Sequence, residues 1–462
     1  MRTKEDFLKS LRDGRKVYYR GKLVDDITQH PILKIAALHA SKLYEYPDRL
    51  YEDKGEKISK YFKTPSSSQD LLDRHALIYD TTLYCNGIFN ISQAIGSDAL
   101  FALMITTKQV DRKYGTEYYK RVEKYFEKVK REDLTLATAQ TDVKGDRSKR
   151  PSEQVDPDMY VRVSEVRSDG IVVRGAKAHT TQSAVSDEII VITTRAMRES
   201  DKDYAVAFAV PANAPGLKMY TRPIDEIEGN SSAILSKKDY ELETITVFDN
   251  VFVPWDRVFL FREHDYAGTL AMLFATFHRF TALSYRSALI NLFLGSSRLM
   301  AKVNGIENEK HVRDDIVDII LYKEILRSSA IASAVKPVML EGIALPNPIF
   351  TNIGKLYSNM HFHDVVKDLI DVSGGIIATL PSQEDFDSEE GKNIVKYLRG
   401  AVDGEERVKV LKLVKELASS PVTGYLLTAM VHAEGSIEAS KIELFRSYNY
   451  DEAEKLVRKI LD

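Results

Sequence analysis

The period of the hydrophobic residues changes twice along this chain, and that constrains its fold more than any single motif. Over residues 4–131 apolar side chains recur at three- and four-residue spacing, most clearly in 71–86 and 118–130, which predicts a mostly helical segment. Over 136–261 the period falls toward two, and 159–163, 171–174, 188–192, 204–210 and 245–248 read as short strands. Ser168-Asp169-Gly170 lies between the first two of these, and Asp-Gly is a strong hairpin signal. From residue 266 helices return, over 274–303, 311–335, 351–372, 406–419 and 425–449. Asn304-Gly305, Pro337, Pro346 with Pro348, and Gly374-Gly375 separate them. The expectation is an α+β protein in three parts: an N-terminal helical domain over 1–135, a middle β-barrel or sandwich over 136–265, and a C-terminal helical bundle over 266–462.

Composition narrows the function classes. The 65 basic and 68 acidic residues are interleaved and leave a net charge of −3, so no basic stripe for nucleic acid is expected. Cys85 is the only cysteine, which excludes an intrachain disulfide and zinc sites built on three or four thiolates. The N-terminal Met1-Arg2-Thr3-Lys4-Glu5-Asp6 has no apolar core of a secretion signal, and no run of about 18 apolar residues occurs. A cytoplasmic protein that does not enter a membrane is the expectation. The order of helical, strand-rich and helical segments fits the acyl-CoA dehydrogenase architecture, in which a flavin lies between the middle sheet domain and the bundle.

Three stretches carry more information. The first is Thr141-Asp142-Val143-Lys144-Gly145-Asp146-Arg147-Ser148 with Arg150-Pro151 and Gln154. The second is 169–177, and the third is Val247-Phe248-Asp249-Asn250-Val251-Phe252-Val253-Pro254. With Phe208-Ala209-Val210-Pro211, Leu380-Pro381-Ser382 and His432-Ala433-Glu434-Gly435-Ser436, they resemble the family that unites 4-hydroxyphenylacetate 3-hydroxylases with 4-hydroxybutyryl-CoA dehydratases, and more closely the dehydratase branch. The resemblance implies bound FAD and a homotetramer assembled from pairs. Asp142, Lys144, Gly145, Asp146, Arg147 and Ser148 then form a donor-rich loop suited to a flavin edge or a phosphate; read alone, the loop is an ordinary hydrophilic connection. Thr181 matches the family's substrate–flavin contact. Gly374-Gly375 resembles the turn by which the bundle approaches the FAD of a partner subunit, and reads equally well as a helix C-cap.

The chain also departs from that branch. The resemblance implies a four-iron four-sulfur cluster held by three cysteines and one histidine. Cys85 and His278 stand at ligand positions, but Thr81 and Tyr285 stand where thiolates belong, and neither is a fit ligand for such a cluster. The tyrosine four residues after the histidine is Ala282, the lysine after the third cysteine is Arg286, and the glutamate of the late helix falls on Ala429. Glu243, just before a strand, keeps its carboxylate. Outside the family, His278 reads as a core histidine, Cys85 as an inert buried thiol and Glu243 as a surface charge.

The resulting expectation is a FAD-dependent acyl-CoA enzyme with no iron–sulfur cluster and no other metal. Isomerase-type proton transfer remains open to it, with Glu243 or His278 as the base. A rival is a two-component FADH2-dependent hydroxylase of small aromatic substrates, served by a flavin reductase. Its phenolate-binding arginine has no counterpart on the helix that ends near Tyr84. A third reading is a FAD-binding partner subunit without turnover.

Overall fold

A computed structural model describes residues 1–228 and 232–461. The Asp-Gly signal is realised as a hairpin: strand Arg162–Val166 turns into Gly170–Lys177 with Val166 opposite Ile171. Around it grows a six-stranded sheet in the order Lys22–Val24, Val17–Tyr19, Leu217–Thr221, Thr244–Pro254, Gly170–Lys177, Arg162–Val166. A second sheet of four strands runs Val258–Phe261, Val206–Pro211, Glu188–Val191, Leu136–Ala139. The sheets face each other across one apolar core, in which Phe208 and Phe248 meet edge to face at 5.8 Å. Both sheets are open among the described residues. The strand-rich middle is therefore a sandwich and not a closed barrel, because Lys22–Val24 and Arg162–Val166 remain free edges.

The N-terminal segment is less purely helical than its periodicity predicts. Val17–Tyr19 and Lys22–Val24 form a hairpin through Arg20 and Gly21, both in the left-handed region. Val17 then pairs in parallel with Met219, two hundred residues on. A second hairpin, Leu50–Asp53 with Glu56–Ser59, precedes the helices Ser68–Tyr84, Ala94–Tyr114 and Tyr118–Glu132.

One helix of 41 residues, His264–Asn304, joins the layers. It is about 60 Å long. Its Phe274 and Phe277 belong to the core shared with the N-terminal helices, while Phe280 and Phe293 belong to that of the C-terminal helices. Lys310–Val335 and Pro348–Ser373 pack along it. The span 425–449, expected as one helix, is two: Pro421–His432 and Ile437–Ser447. Glu434 and Gly435 take positive φ between them, and Ser436 caps the second helix by accepting from the Ala439 N–H. Among the described residues no helix is long and apolar enough to cross a membrane.

Candidate active site

The site forms where the six-stranded sheet meets the C-terminal helices. The Thr180 N–H donates to the Thr244 carbonyl at 3.0 Å, and the Gln182 N–H to the Leu242 carbonyl at 2.7 Å. These bonds hold 180–182 against 242–244 and set Thr181 beside Glu243, whose carboxylate oxygens accept from the Thr181 hydroxyl at 2.9 and 3.1 Å. Glu241 and Glu243 are two residues apart, just ahead of strand Thr244–Pro254. Tyr425, on the Pro421–His432 helix, reaches both: its hydroxyl lies 3.0 Å from Glu243 Oε1 and 3.3 Å from Glu241 Oε2. The Arg222 guanidinium covers the Tyr425 ring at 4.2 Å and pairs with Glu226. Burial, then the neighbouring Glu243 charge, pushes the Glu241 carboxyl up to about 8.

A second constellation adjoins the first. His278 stacks on Phe274 and stands between two carboxylates, with Nδ1 3.7 Å from Asp98 and Nε2 3.8 Å from Glu434. Its Nδ1 is buried without a hydrogen-bond partner among the described residues. Asp98 is already committed to Arg74 at 2.7 Å and to the Thr281 hydroxyl at 2.8 Å. Glu434 accepts from Tyr285 at 2.9 Å and is ion-paired with Arg286, both side chains of that pair being buried. Glu241 is felt electrostatically by Tyr285 and itself feels Glu434, so the two constellations are one site. Glu434 is held there by its backbone: Arg279 donates to the Glu434 carbonyl, and Lys355 donates to the Gly435 carbonyl and the Ser440 hydroxyl. Burial, then Arg279, pushes the Lys355 amine down to about 7.

The two expected catalytic residues, Glu243 and His278, thus lie in one neighbourhood. Sequence reasoning missed Glu241, Glu434, Tyr425 and Asp98 as members. The alternation Glu241-x-Glu243 before a strand was a usable signal for the first. Gly435-Ser436, a stop followed by an N-cap, marked the break that delivers Glu434. Ala429 therefore does not leave the helical wall without a carboxylate, since Glu434 supplies one five residues later.

The cluster positions depart further from a metal site. The Thr81 hydroxyl bonds the Tyr61 hydroxyl and the Leu77 carbonyl. The residue that lies flat on Tyr285 is instead Phe89, at 4.3 Å, four residues after Cys85. Burial and then Asp239 push the Cys85 thiol up to about 12, so it is held as a thiol. One thiol, one histidine, a threonine hydroxyl bonded to Tyr61 and Leu77 and a tyrosine bonded to Glu434 do not fit an iron–sulfur cluster. Cys85, His39 and Asp239 do offer ligand atoms within 4.8 Å of one another. Asp239, however, already accepts from His39 at 2.8 Å, from Lys42 at 2.6 and 2.7 Å and from Asn86 at 2.6 Å. The Lys42 ammonium fills the role a metal cation would take there.

The loop from Thr141 divides into two kinds of residue. Asp142 is a brace, ion-paired inside the sheet with Lys177 at 2.8 Å. Asp146 accepts from the Ser148 N–H and hydroxyl and shapes the turn. Lys144 and Arg147 have no carboxylate within ion-pair distance among the described residues, and with Arg195 they make a cluster of positive charge. Burial, then Arg147, lowers the Lys144 amine. Gly145 has φ of +46°, and a Cβ there would stand 2.6 Å from Gln154 Oε1 and Tyr160 Oη. Past the end of strand Gly170–Lys177, buried Thr180 Oγ1 and Gln182 Oε1 lack hydrogen-bond partners among the described residues. Cations without an ion-pair partner among the described residues and orphaned polar atoms fit a large anionic cofactor with a polar ring edge. Gly374 and Gly375 end the Pro348–Ser373 helix in left-handed conformation, facing open space. They lie roughly 28 Å along the helix from Lys355.

Residues 3–260 match the family signature described as 4-hydroxyphenylacetate 3-hydroxylase N terminal, and 267–462 match its C-terminal counterpart. The chain belongs to the 4-hydroxyphenylacetate 3-hydroxylase family. Within that family it is 33% identical to the 4-hydroxybutyryl-CoA dehydratase/vinylacetyl-CoA-Δ-isomerase of Clostridium aminobutyricum, across 99% of both chains. It is 28% identical to the oxygenase component of 4-hydroxyphenylacetate 3-monooxygenase of Thermus thermophilus, across 91% of this chain and 89% of that one. Among solved structures, an oxygen-tolerant archaeal 4-hydroxybutyryl-CoA dehydratase from N. maritimus superposes with a TM-score of 0.94 at 29% identity, covering 100% of this chain and 95% of that one. These family members are enzymes, and the fold they share is the one described here.

Proposed function

We propose that this chain is a FAD-binding acyl-CoA enzyme that moves protons between the carbons of a thioester and works without an iron–sulfur cluster. The observation that carries the reading is the carboxyl pair Glu241 and Glu243, gathered on one phenol beside His278. The similarity across 99% of a dehydratase/isomerase supports the substrate class. The donor set around His278, with its arginine-bound carboxylate, supports the loss of the cluster. Lys144 and Arg147 would meet the FAD phosphates, Gly145 lets their loop fold closely on Gln154 and Tyr160, and Thr180, Thr181 and Gln182 would meet the ring edge. When bound, oxidised flavin would make the α-proton of a thioester beside it more acidic. Glu243 takes that proton, held in place by Thr181 and Tyr425. Proton transfer by such a positioned group contributes roughly 10²–10⁴-fold. A homotetramer, with Gly374-Gly375 facing the FAD of a partner, belongs to the same proposal.

The hydroxylase reading finds less support. Arg74 is the arginine of the Ser68–Tyr84 helix, and its guanidinium is buried against Asp98 and not available to a phenolate. The visible spectrum of purified protein and thermal shifts with CoA thioesters against phenols test the choice. Flavin absorption and stabilisation by thioesters are expected, whereas stabilisation by phenols alone would favour the hydroxylase. A colourless protein indifferent to FAD would end both enzyme readings. Glu243→Gln is expected to abolish deuterium exchange at the α-carbon of a butenoyl thioester in D2O, and undiminished exchange would remove Glu243 from the role of base.

A further inference from the structure

We propose that Glu241 and Glu243 share one proton, with Glu241 the carboxylic acid and Glu243 the carboxylate, and that Tyr425 between them returns the proton after each turnover. The assignment of catalytic roles rests on the function proposed above; the shared proton itself rests on geometry. Tyr425 has one hydroxyl hydrogen and two carboxyl neighbours, at 3.0 and 3.3 Å. That hydrogen satisfies only one of them, so the second contact is a hydrogen bond only if the other carboxyl donates to the phenol oxygen. Glu243 is the better acceptor site, because Thr181 also donates to it. Among the described residues no second hydroxyl donates to Glu241, which makes it the proton carrier.

The surroundings favour the same arrangement. Around Glu241 stand Glu243 from the same segment before strand Thr244–Pro254, Tyr425 from the Pro421–His432 helix, Glu434 from the segment that follows with its partner Arg286, Tyr285 from the long helix and Arg222 over the Tyr425 ring. Glu434 is already matched by Arg286 and Arg222 by Glu226, so among the described residues no free cation is left to hold a second charge beside Glu243. Burial, then Glu243, lifts the Glu241 carboxyl to about 8, with Glu434 adding to the rise.

The consequence is a double-bond shift without any consumed reagent. Glu243 takes the α-proton of a β,γ-unsaturated thioester, and the C–H electron pair becomes the α,β bond. The β,γ π-electrons form the new C–H bond at the γ-carbon with the proton of Glu241. Glu243 is now protonated and Glu241 charged. The proton on Glu243 passes to the Tyr425 oxygen as the Tyr425 proton passes to Glu241, which restores the starting state.

Infrared titration of the intact protein, wild type against E241Q, tests the shared proton directly. The difference spectrum is expected to show a protonated carboxyl band that disappears with a midpoint of about 8 and moves to lower pH in E243Q. No such band in the difference overturns the proposal. A carboxyl raised above its unfolded value of about 4.3 is compatible with full stability at low pH, and stability is lost as pH rises toward the folded value. E241Q should therefore match wild type in Tm near pH 4 and exceed it increasingly up to about pH 8; a Tm difference that does not grow with pH also overturns it. In turnover, E241Q should retain α-proton exchange and slow isomerisation by roughly 10²–10⁴-fold. Equal loss of both, or loss of neither, removes Glu241 as the acid. If wild type exchanges no thioester proton at all, the proposed activity fails, while the infrared titration still decides whether the carboxyls share a proton.

Discussion

Arg286 is the largest side chain with almost no solvent exposure, and its charge is matched by Glu434. A buried guanidinium is tolerated only when paired and hydrogen-bonded, and here Ser358, Asn359 and the Met430 carbonyl surround its Nη1 as acceptors. Glu434→Gln leaves that charge uncompensated. The expected cost is about 3 kcal/mol, read as a lower midpoint in chemical denaturation; an unchanged midpoint would show that the pair is not a structural element. At this scale the sequence was readable where chemistry is local. Cys85 is a buried thiol, as its apolar neighbours in the sequence imply. Glu434 was quoted in a motif but not placed, because nothing local says that a carboxylate after His432 turns toward a helix that begins 170 residues earlier.

Among elements, the polar loop from Thr141 and the break after His432 do most to shape the site. Gly145 is required in the first by its positive φ and by the close approach of Gln154 and Tyr160. Gly145→Ala is expected to displace the loop and weaken FAD binding by about tenfold or more, a loss of roughly 1.4 kcal/mol, with little change in far-UV circular dichroism. Undiminished FAD affinity would take this loop out of the cofactor site. In the second, two helices replace the single one that periodicity predicts over 425–449. Apolar spacing runs through both, so the stop lies in Gly435 and Ser436 and not in the period. The break is held by Arg279 and Lys355, two cations of distant helices, and such partners carry no sequence signature.

At the scale of the whole molecule, the N-terminus is part of the middle layer. Val17–Tyr19 covers the edge of Leu217–Thr221, and Arg2 ion-pairs with Asp187 at the end of the second sheet. Removing residues 1–24 is expected to expose that edge and strand Asp187 without its partner, giving a protein that aggregates on size exclusion. A monodisperse, FAD-binding product would show that the sandwich closes without it. Sequence by itself determined the order of helical and strand-rich segments, the hairpin at Asp169-Gly170 and the shortage of thiols, because each depends on residue type and spacing within a few positions. Only the tertiary structure decided that the sheets stay open, that the first 24 residues join them, and that Glu241, Glu243, Tyr425, Glu434 and His278 converge. Those outcomes depend on strand pairing and ion pairs between residues tens to hundreds of positions apart. Their free energy is gained only when the chain has already packed, so no local pattern records them.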